Sequence, residues 1–462
     1  MANARKLILA VTAAVLAVMP ARAEDAAAPP TGFPLMEALG VAYETNPQLL
    51  AARAGVRATD ETVAQANANW RPSIAATGTY GFEKYKITGN QKWIGTHPLQ
   101  AQLGVQQNIF RGGRTIAEIG KAKAQVRAAR AQLIAAEQTV LLGAAMAYMD
   151  VVRDEAIVRL RQHNVDVLRR QRDSTALEFK AGSLTRTDVA QSEARLAGAE
   201  ALLTAAKGQL AVSRAGFLQV IGRPAETLEQ TPELPGAVPG SEEAALGFAL
   251  KGNPALMEAR ERERAASYAV DEAIGALLPT ITVQGGYSYS QQSYSSSLGA
   301  GQVTHGLGII GQVTVPIYQG GGEEATVRQA KQYHAQAEMN VNVADRQVRE
   351  AVASAWNTYQ AALASIESNM ATQKANEIAF TGVSKEQRVG GRTILDVLNA
   401  QQELLNAQVA VVSSQRDATV AAFQVLAAEG TLTAKTLGLK VQYYDPLAHY
   451  ENNAARWIGF GE

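Results

Sequence analysis

Three stretches of the chain alternate between apolar and polar positions, as β-strands with two different faces do. They lie at 99–109, 280–290 and 307–317, and residues 74–82 follow the same scheme less cleanly. The apolar positions are Leu99, Ala101, Leu103, Val105 and Ile109, then Ile281, Val283, Gly285, Tyr287 and Tyr289, then Leu307, Ile309, Gly311, Val313, Val315 and Ile317. The positions between them are mostly Gln, Ser, Thr and Gly. We therefore predict four strands, each with one apolar and one polar face.

Each stretch has about 10 residues, which is enough to cross a lipid bilayer at a tilt. A polar face of Gln, Ser and Thr suits a water-filled lumen, but a sheet with one solvated face in a water-soluble protein gives the same alternation. The number of strands separates the two interpretations. Four strands cannot close a barrel, and lipid does not tolerate an open sheet edge. Eight strands from two chains would enclose an interior filled by side chains, so twelve strands from three chains are favoured.

The remaining segments show helical periodicity. We predict helices over 35–69, 114–179, 187–221, 242–276, 323–387 and 394–429. Within the two longest, Val126, Leu133, Val140 and Ala147 keep a seven-residue step, and Val348, Val352, Ala355, Tyr359 and Leu363 advance by threes and fours. Such a spacing is typical of helices packed side by side. A helix of this length spans about 100 Å, so two of the shorter helices, about 50 Å each, can stack end to end beside it.

The chain contains two copies of one pattern. Asn46-Pro47 returns as Asn253-Pro254, 207 positions later, and Asp188 returns as Asp396, 208 positions later. A nearly constant offset over so long a stretch indicates a duplication. We predict repeats at 24–222 and 242–438, a proline-rich linker at 223–241 and a C-terminal tail at 439–462.

Each copy also passes from a strand into its longest helix through a pair of glycines. The sequence reads QNIFRGGR around Phe110 and VPIYQGGG around Tyr318. We expect each of these two aromatic residues to end a strand at the inner surface of the membrane that the strands would cross. Glycine permits backbone angles that other residues avoid, so we expect sharp strand-to-helix turns at Gly112, Gly113, Gly320 and Gly321.

The first residues have the features of a secretory signal peptide, which is removed in the mature protein. Arg5 and Lys6 precede an apolar stretch at 7–19, and Ala21-Arg22-Ala23 forms a cleavage site. We assign residues 1–23 to the signal peptide. The apolar stretch is too short for a membrane-spanning helix, so we predict that the mature chain is exported.

The amino-acid composition argues against several other classes of protein. Basic and acidic residues number 43 each, so the chain lacks the clustered basic excess of a nucleic-acid-binding protein. It contains no cysteine, which excludes disulfides, thiolate metal sites and a lipid-modified cysteine. After the signal peptide no apolar run approaches 18 residues, which argues against a helical membrane protein but not against a β-barrel.

No arrangement of residues predicts an enzyme, a cofactor or a metal site. The glycines at 306, 308 and 311 match a dinucleotide-binding motif, but that motif must join a strand to a helix and here it lies inside a strand pattern. The histidines are scattered without the spacing of metal ligands. They are His97, His163, His305, His334 and His449.

These features together resemble the TolC family of outer-membrane efflux and secretion channels. The resemblance extends to about residue 438 and depends on NPQL and NPAL, on NIFRGG and PIYQGG, and on the hairpin sequences FKAGSLTRTDV and RVGGRTILDVLNAQ. It implies a mixed α and β membrane protein: a homotrimer with one shared 12-stranded β-barrel, continued by a long α-helical barrel in the periplasm. The absence of a cysteine after the signal peptide differs from the lipid-anchored branch.

The resemblance also implies partners. The channel would sit in the outer membrane and meet a periplasmic adaptor protein and an inner-membrane pump or ABC transporter. It would serve as the exit duct of a tripartite efflux pump or of a type I secretion system, and the sequence does not distinguish between these cargo classes. The alternative is a periplasmic helical scaffold or adaptor protein without a pore, against which the alternating strands argue.

In the TolC family, the helical hairpins at the periplasmic tip hold the channel shut. By motif, Asp188 and Arg392 match residues that bridge hairpins, and Asp396 matches an acidic ring at the constriction. The chain departs from the family at Gln387 and Asn399, where an aromatic and an acidic residue are expected, and Glu403 is a further candidate for the lining. A local role is an alternative, because Thr185 to Asp188 and Thr393 to Asp396 resemble helix capping boxes.

Overall fold

The computed structural model describes residues 32–86, 93–230, 238–294 and 302–460. The predicted signal peptide and residues 231–237 of the predicted linker lie outside these ranges. The described part is mostly helical and contains one antiparallel sheet. None of its helices combines the length and the hydrophobicity needed to cross a lipid bilayer.

The helices of the two halves follow one order. The first half has α1 (Leu35–Thr45), α2 (Pro47–Ala68), α3 (Arg114–Lys180) and α4 (Arg186–Ile221). The second has α5 (Glu242–Gly252), α6 (Pro254–Gly275), α7 (Gly322–Arg388) and α8 (Ile394–Glu429). Corresponding helices have the same lengths: 11, 22, 67 and 36 residues. A short helix, α9 (Ala448–Asn453), follows.

The prediction of single helices over 35–69 and 242–276 was wrong, because each of these segments forms two helices. Asn46 and Asn253 have extended backbones with ψ of 121° and 124°. A proline disfavours a helical conformation in the residue before it and itself begins a helix well. The Oδ1 atom of each asparagine then accepts a hydrogen bond from a backbone N–H of the next helix, at 2.9 Å in both cases.

The sheet has the order β1-β3-β4-β5 and consists of β1 (Ser73–Tyr80), β2 (Glu83–Tyr85), β3 (Ile94–Arg111), β4 (Thr280–Tyr294) and β5 (Gln302–Thr314). β2 continues β1 in the same register, since Tyr80 pairs with Leu99 and Glu83 pairs with Thr96. The interruption lies opposite Pro98, which has no N–H to donate to the neighbouring strand. The described sheet is thus four strands wide, as predicted.

The register of the strands places the predicted apolar positions on one face. Leu103 pairs with Tyr287, and Tyr287 pairs with Leu307. Because directly paired residues of antiparallel strands project from the same face, these three side chains lie together. On the other face, Gln102 pairs with Ser288. Ile310 is an exception, since it pairs with Gln284 on the polar face.

Two details of the predicted strands differ from the structure. A bulge between Asn108 and Phe110 brings Phe110, and not Ile109, into register with Ile281. The third stretch was predicted to extend to 317 but ends at Thr314, which pairs with Thr280, the first residue of β4. Residues 315–317 therefore have no strand beside them in the described part of the chain, and Pro316 lacks an N–H. Consequently Tyr318 lies beyond the end of β5.

The glycine pairs occupy the strand-to-helix junctions. Gly112 and Gly113 have φ of 63° and 80°, and Gly320 and Gly321 have φ of 69° and 80°. L-residues rarely adopt this left-handed conformation. The junction before α3 is also tightly packed, since a Cβ on Gly112 would lie 2.2 Å from the carbonyl oxygen of Gly275.

The main hydrophobic core lies where the middle of α3 meets α1, α4 and α8. It contains the fully buried Tyr148, Phe217 and Phe423. The hydroxyl of Tyr148 donates to the carbonyl of Phe33 at 2.6 Å and thereby fixes the segment before α1. The two long helices differ in burial: α3 has 22 buried residues and α7 has three. Within a single chain, most of the surface of α7 is uncovered.

Glu429, at the C-terminal end of α8, is a buried carboxyl group whose effect on stability can be tested. Its side chain is buried, and no hydrogen bond reaches Oε2 among the described residues. Burial raises its pKa, and an anion at a helix C-terminus is also unfavourable. Stability from a carboxyl group whose folded pKa is raised is lost as the pH rises through its titration range. Glu429→Gln should therefore raise the free energy of unfolding at pH 8 by about 1 kcal/mol. The midpoint temperature of thermal unfolding should rise with it.

Circular dichroism of the detergent-solubilised protein at pH 8 and at pH 4 measures this effect. The gain should shrink at pH 4, because there the wild-type carboxyl is also protonated. A gain that is equal at both values would assign the effect to packing and would contradict a buried charge at Glu429.

Candidate functional site at the helical hairpins

Two helical hairpins carry the residues predicted to form the gate. α3 turns into α4 through residues 181–185, and α7 turns into α8 through residues 389–393. Gly182 and Gly390 have left-handed backbones with φ of 79° and 80°. Both hairpins thus reverse direction by the same local geometry, which places Asp188 and Asp396 at equivalent positions.

Both aspartates are part of capping boxes. Asp188 Oδ2 accepts a hydrogen bond from the backbone N–H of Thr185 at 2.9 Å, and Thr185 Oγ1 accepts one from the N–H of Asp188 at 3.3 Å. The corresponding distances between Thr393 and Asp396 are 2.9 and 3.2 Å. In both cases the hydrogen bonds within the chain use Oδ2. The other carboxylate oxygen is available for a second role, because an ionised carboxylate has capacity for several hydrogen bonds.

Both carboxylates are held in the ionised form. Hydrogen bonds from the side chain and backbone of Thr185 lower the pKa of Asp188. Hydrogen bonds from the backbone and side chain of Thr393 lower the pKa of Asp396, and the charge of Arg392 adds to this effect. Each hairpin tip therefore carries a fixed negative charge at neutral pH.

Arg392 is exposed and forms an ion pair within its own hairpin. Its Nε atom lies 3.0 Å from Glu386 Oε2, near the end of α7. Among the described residues of one chain, Arg392 has no ion pair with Asp188. The predicted bridge between hairpins through these two residues stays a prediction.

The remaining predicted lining residues lie on the same hairpin. Gln387 is half-buried near the end of α7, and Asn399 and Glu403 are exposed on α8. Asn399 and Glu403 follow Asp396 by three and seven positions, which places all three on one side of the helix. The Asn399 side-chain oxygen accepts a hydrogen bond from Arg195 Nη2 of α4 at 2.7 Å.

Arg195 is a site residue that the sequence analysis missed. It connects the two hairpins across α4 and α8, and it is bonded to the position where the family pattern has an acidic residue. The spacing of seven residues from Asp188 would have been its only signal, since an i to i+7 step repeats one helical face. Nothing in the sequence pairs it with a residue 204 positions away.

A small apolar cluster holds the hairpins together above the tips. Ile394 and Leu398 of α8 pack against Val165, Leu168 and Leu196 of α3 and α4. The first turns of α8 thus have one face buried against the other hairpin. The face with Asp396, Asn399 and Glu403 points elsewhere, because these positions are half-buried or exposed.

The structure brings together one group that the sequence spacing did not indicate. His334 Nε2 lies 2.7 Å from Glu263 Oε1 and 3.9 Å from Glu338 Oε1, between α6 and α7. One ligand atom from each of the three lies within 4.8 Å of the others. A hydrogen bond between His334 and Glu263 accounts for this geometry. The glycine motif at 306–311 lies within β5, as predicted, and not between a strand and a helix.

Comparison with known proteins decides the family. The sequence profile of the family described as outer membrane efflux protein matches this chain twice, over residues 38–223 and 245–431. The chain belongs to the outer membrane efflux protein family. The two matches together span most of the described helices and strands, and they divide the chain at the segment that was predicted to be a linker.

Individual relatives agree with this assignment. Outer membrane efflux protein BepC of Brucella suis is 37% identical over 427 residues, which cover 92% of this chain and 91% of BepC. Outer membrane protein TolC of Vibrio cholerae is 25% identical over 416 residues, 88% of this chain and 94% of TolC. The crystal structure of the outer membrane protein VceC from Vibrio cholerae matches with a TM-score of 0.71 at 21% identity, over 86% of this chain and 96% of VceC.

Family membership confirms the predicted resemblance, the location and the class of function. The protein is an outer-membrane efflux or secretion protein that extends into the periplasm. Members of this family are channel proteins. The hairpin tips, which carry the ionised aspartates and Arg392, are the candidate site at which such a channel is opened and closed.

Proposed function

We propose that three copies of this chain form a passive outer-membrane channel, the exit duct of a tripartite efflux pump or a type I secretion system. A shared 12-stranded β-barrel crosses the membrane, and the helices of the three chains continue it as a tunnel through the periplasm. An inner-membrane pump or ABC transporter drives transport through a periplasmic adaptor protein. The chain itself is not an enzyme and uses no cofactor or metal.

The sheet is the observation that carries this proposal. β1 and β5 are its two edges, and neither has a second partner strand among the residues that the structure describes. Apart from Ile310, its apolar positions share one face, on which Leu103, Leu307 and Val313 are exposed. A sheet with an exposed apolar face and open edges is unstable as a free element in water. Pairing β5 of one chain with β1 of the next in a ring of three removes every edge and presents the apolar face to lipid.

The uncovered surface of α7 supports the same assembly. Ala344, Val348 and Val352 are its only described buried residues, and Tyr359 and Leu363 of the predicted seam are half-buried. The corresponding helix of the first half, α3, has many of its apolar residues buried in the main hydrophobic core of its own chain. Neighbouring protomers that pack against α7 would bury its remaining apolar positions.

We further propose that the chain arose by duplication. The repeats would comprise residues 24–222 and 242–438, joined by a linker at 223–241, after a signal peptide at 1–23. Equal helix lengths in the two halves support this division. Residues 439–462 would form a C-terminal segment on the periplasmic side of the membrane.

The rival function is a periplasmic helical scaffold without a pore. The two proposals differ in how the protein is held at the membrane. A scaffold would be released from membranes by alkaline carbonate, whereas a protein with a membrane-spanning barrel would be released only by detergent. Full release by carbonate would contradict the channel.

The proposed trimer gives a prediction on the oligomeric state. Purified in detergent, the mature chain should have the mass of three copies after the detergent contribution is subtracted, because four strands per chain close a barrel with a lumen only at twelve. Light scattering or native mass spectrometry measures this mass. A monomer or a dimer that conducts ions in planar bilayers would contradict the proposed trimer.

Asp396 provides a prediction on ion selectivity. Asp396→Ala should reduce the preference for cations, since it removes three ionised carboxylates from one ring of the trimer. Reversal potentials in a salt gradient measure the preference. Thr393→Ala is the matched control, because it removes the capping hydroxyl and leaves the charge. If both variants change selectivity equally, the role of Asp396 is limited to capping α8.

A further inference from the structure

The C-terminal segment after α8, from about residue 440 to residue 460, runs along α1 and α2 toward the sheet. The backbone N–H of Gln442 donates to Glu44 Oε1 of α1 at 3.4 Å. Further along, His449 Nδ1 lies 3.4 Å from Asp60 Oδ2 in the middle of α2. The carbonyl of Ala454 accepts a hydrogen bond from Asn67 Nδ2 at 3.1 Å, near the end of α2. The contacts advance together, so the segment arrives at the end of α2 from which β1 begins.

The end of this segment lies at the level of the strand ends. The carbonyl of Trp70 accepts a hydrogen bond from Gln107 Nε2 at 2.8 Å. Gln107 lies four residues before the end of β3. Arg71, which follows Trp70, donates from Nη1 to the carbonyl of Arg456 at 2.5 Å. Its guanidinium also lies 4.9 Å from the ring centre of Trp457. Trp457 is therefore fixed beside the junction between sheet and helices.

The residues held at this level are apolar and exposed. Trp457 is 68% exposed, Ile458 is 90% exposed and Phe460 is fully exposed, while the nearby Trp70 is 44% exposed. Single exposed apolar residues are ordinary on protein surfaces. A cluster of them that contains two tryptophans and is flanked by Arg71 and Arg456 has the composition of a membrane interface. There, tryptophan rings sit at the level of the headgroups and arginines reach lipid phosphates.

We propose that residues 457–460 insert into the phospholipid surface at the inner ends of the strands and anchor the periplasmic domain to the membrane. This inference rests on the proposed function, since it requires that the sheet span the bilayer. The occupant is lipid because the segment lies where the strands end, at the inner boundary of the layer that the apolar face of the sheet occupies. The segment acts as an interfacial anchor that does not cross the bilayer.

Tryptophan fluorescence tests this anchor in the full chain. The sequence has four tryptophans, Trp70, Trp93, Trp356 and Trp457, and the first three can be replaced by Phe. The trimer with only Trp457 is reconstituted into vesicles of phosphatidylcholine with or without bromine atoms near the headgroup end of the acyl chains. Trp457 emission should be shifted to shorter wavelengths and should lose most of its intensity in the brominated vesicles.

Two matched variants make the result decisive. A chain with only Trp356 should not be quenched, because Trp356 lies 34 residues after the start of α7, about 50 Å from the junction. A chain with Leu103→Trp as its only tryptophan should be quenched by bromine atoms placed near the ends of the acyl chains if the sheet spans the bilayer. If Leu103→Trp is quenched and Trp457 is not, the anchor is wrong, and a shifted but unquenched Trp457 would mean that protein covers it. If Leu103→Trp is not quenched, the membrane-spanning sheet itself is wrong.

Discussion

Replacing Arg392 with serine should raise the mean conductance of the reconstituted channel severalfold. Arg392 is exposed at the tip of the second hairpin, and Asp188 holds an ionised carboxylate at the tip of the first. In both halves the hairpin follows a 67-residue helix, so the proposed duplication would bring both tips to the same end of the helices. A single exposed ion pair contributes little, but three symmetric pairs that break together shift a closed-to-open equilibrium much further. Asp188→Ala should act in the same direction, and the double variant should differ little from either single one.

The local contacts of these residues supply matched controls. Glu386→Gln removes the partner of Arg392 within its own hairpin, and Thr185→Ala removes the partner of Asp188 in its capping box. Neither should raise the conductance if the relevant bridge joins different hairpins. If Glu386→Gln opens the channel as far as Arg392→Ser, the ion pair within one hairpin is the gate. Equal effects of Thr185→Ala and Asp188→Ala would assign Asp188 to helix capping.

A second large effect is expected in the sheet. Leu103→Arg should prevent stable assembly in the outer membrane, whereas Gln102→Arg should be tolerated. The two residues are neighbours in β3, and the register places Leu103 with Tyr287 and Gln102 with Ser288, on opposite faces. An arginine that faces lipid at mid-bilayer costs about 2–4 kcal/mol, and a trimer contains three. An arginine that faces a water-filled lumen costs far less.

The amount of trimer extracted from outer-membrane fractions measures this difference. Val313→Arg and Gln312→Arg repeat the comparison on β5, where Val313 pairs with Ile281 and Gln312 pairs with Thr282. Equal losses from both substitutions of a pair would contradict the assignment of the apolar face to lipid. A loss confined to Gln102→Arg and Gln312→Arg would mean that the two faces are reversed.

Helix prediction succeeded where the signals lie close together in sequence. The bounds of α8 agree with the predicted 394–429, and α3 and α4 begin within one residue of the predicted positions. In α4 and α8, a capping threonine, an aspartate three residues later and a glycine after the last turn fix the ends by local hydrogen bonds and backbone angles. The start of α3 follows Gly113, whose backbone is left-handed. The same reasoning failed at Asn46 and Asn253. There the apolar periodicity continues across a break that the following proline imposes.

The ends and irregularities of the strands depend on pairing with other strands, which the sequence of one strand does not reveal. Alternation correctly assigned the two faces, since it is a property of one strand alone. The end of β5 at Thr314 depends instead on where β4 begins, and the bulge near Phe110 depends on the pairing of β3 with β4. The interruption between β1 and β2 arises from Pro98 on another strand.

The sequence by itself determined the period of each segment, the glycine turns and the capping boxes, because each depends on residues near one another in the chain. Only the tertiary structure revealed that Arg195 binds Asn399, that α3 is covered by its own chain while most of α7 is not, and that Trp457 lies beside Arg71 near the start of β1. These relations join residues many positions apart. They arise because packing brings distant surfaces into contact, and no local period or motif encodes which surfaces will meet.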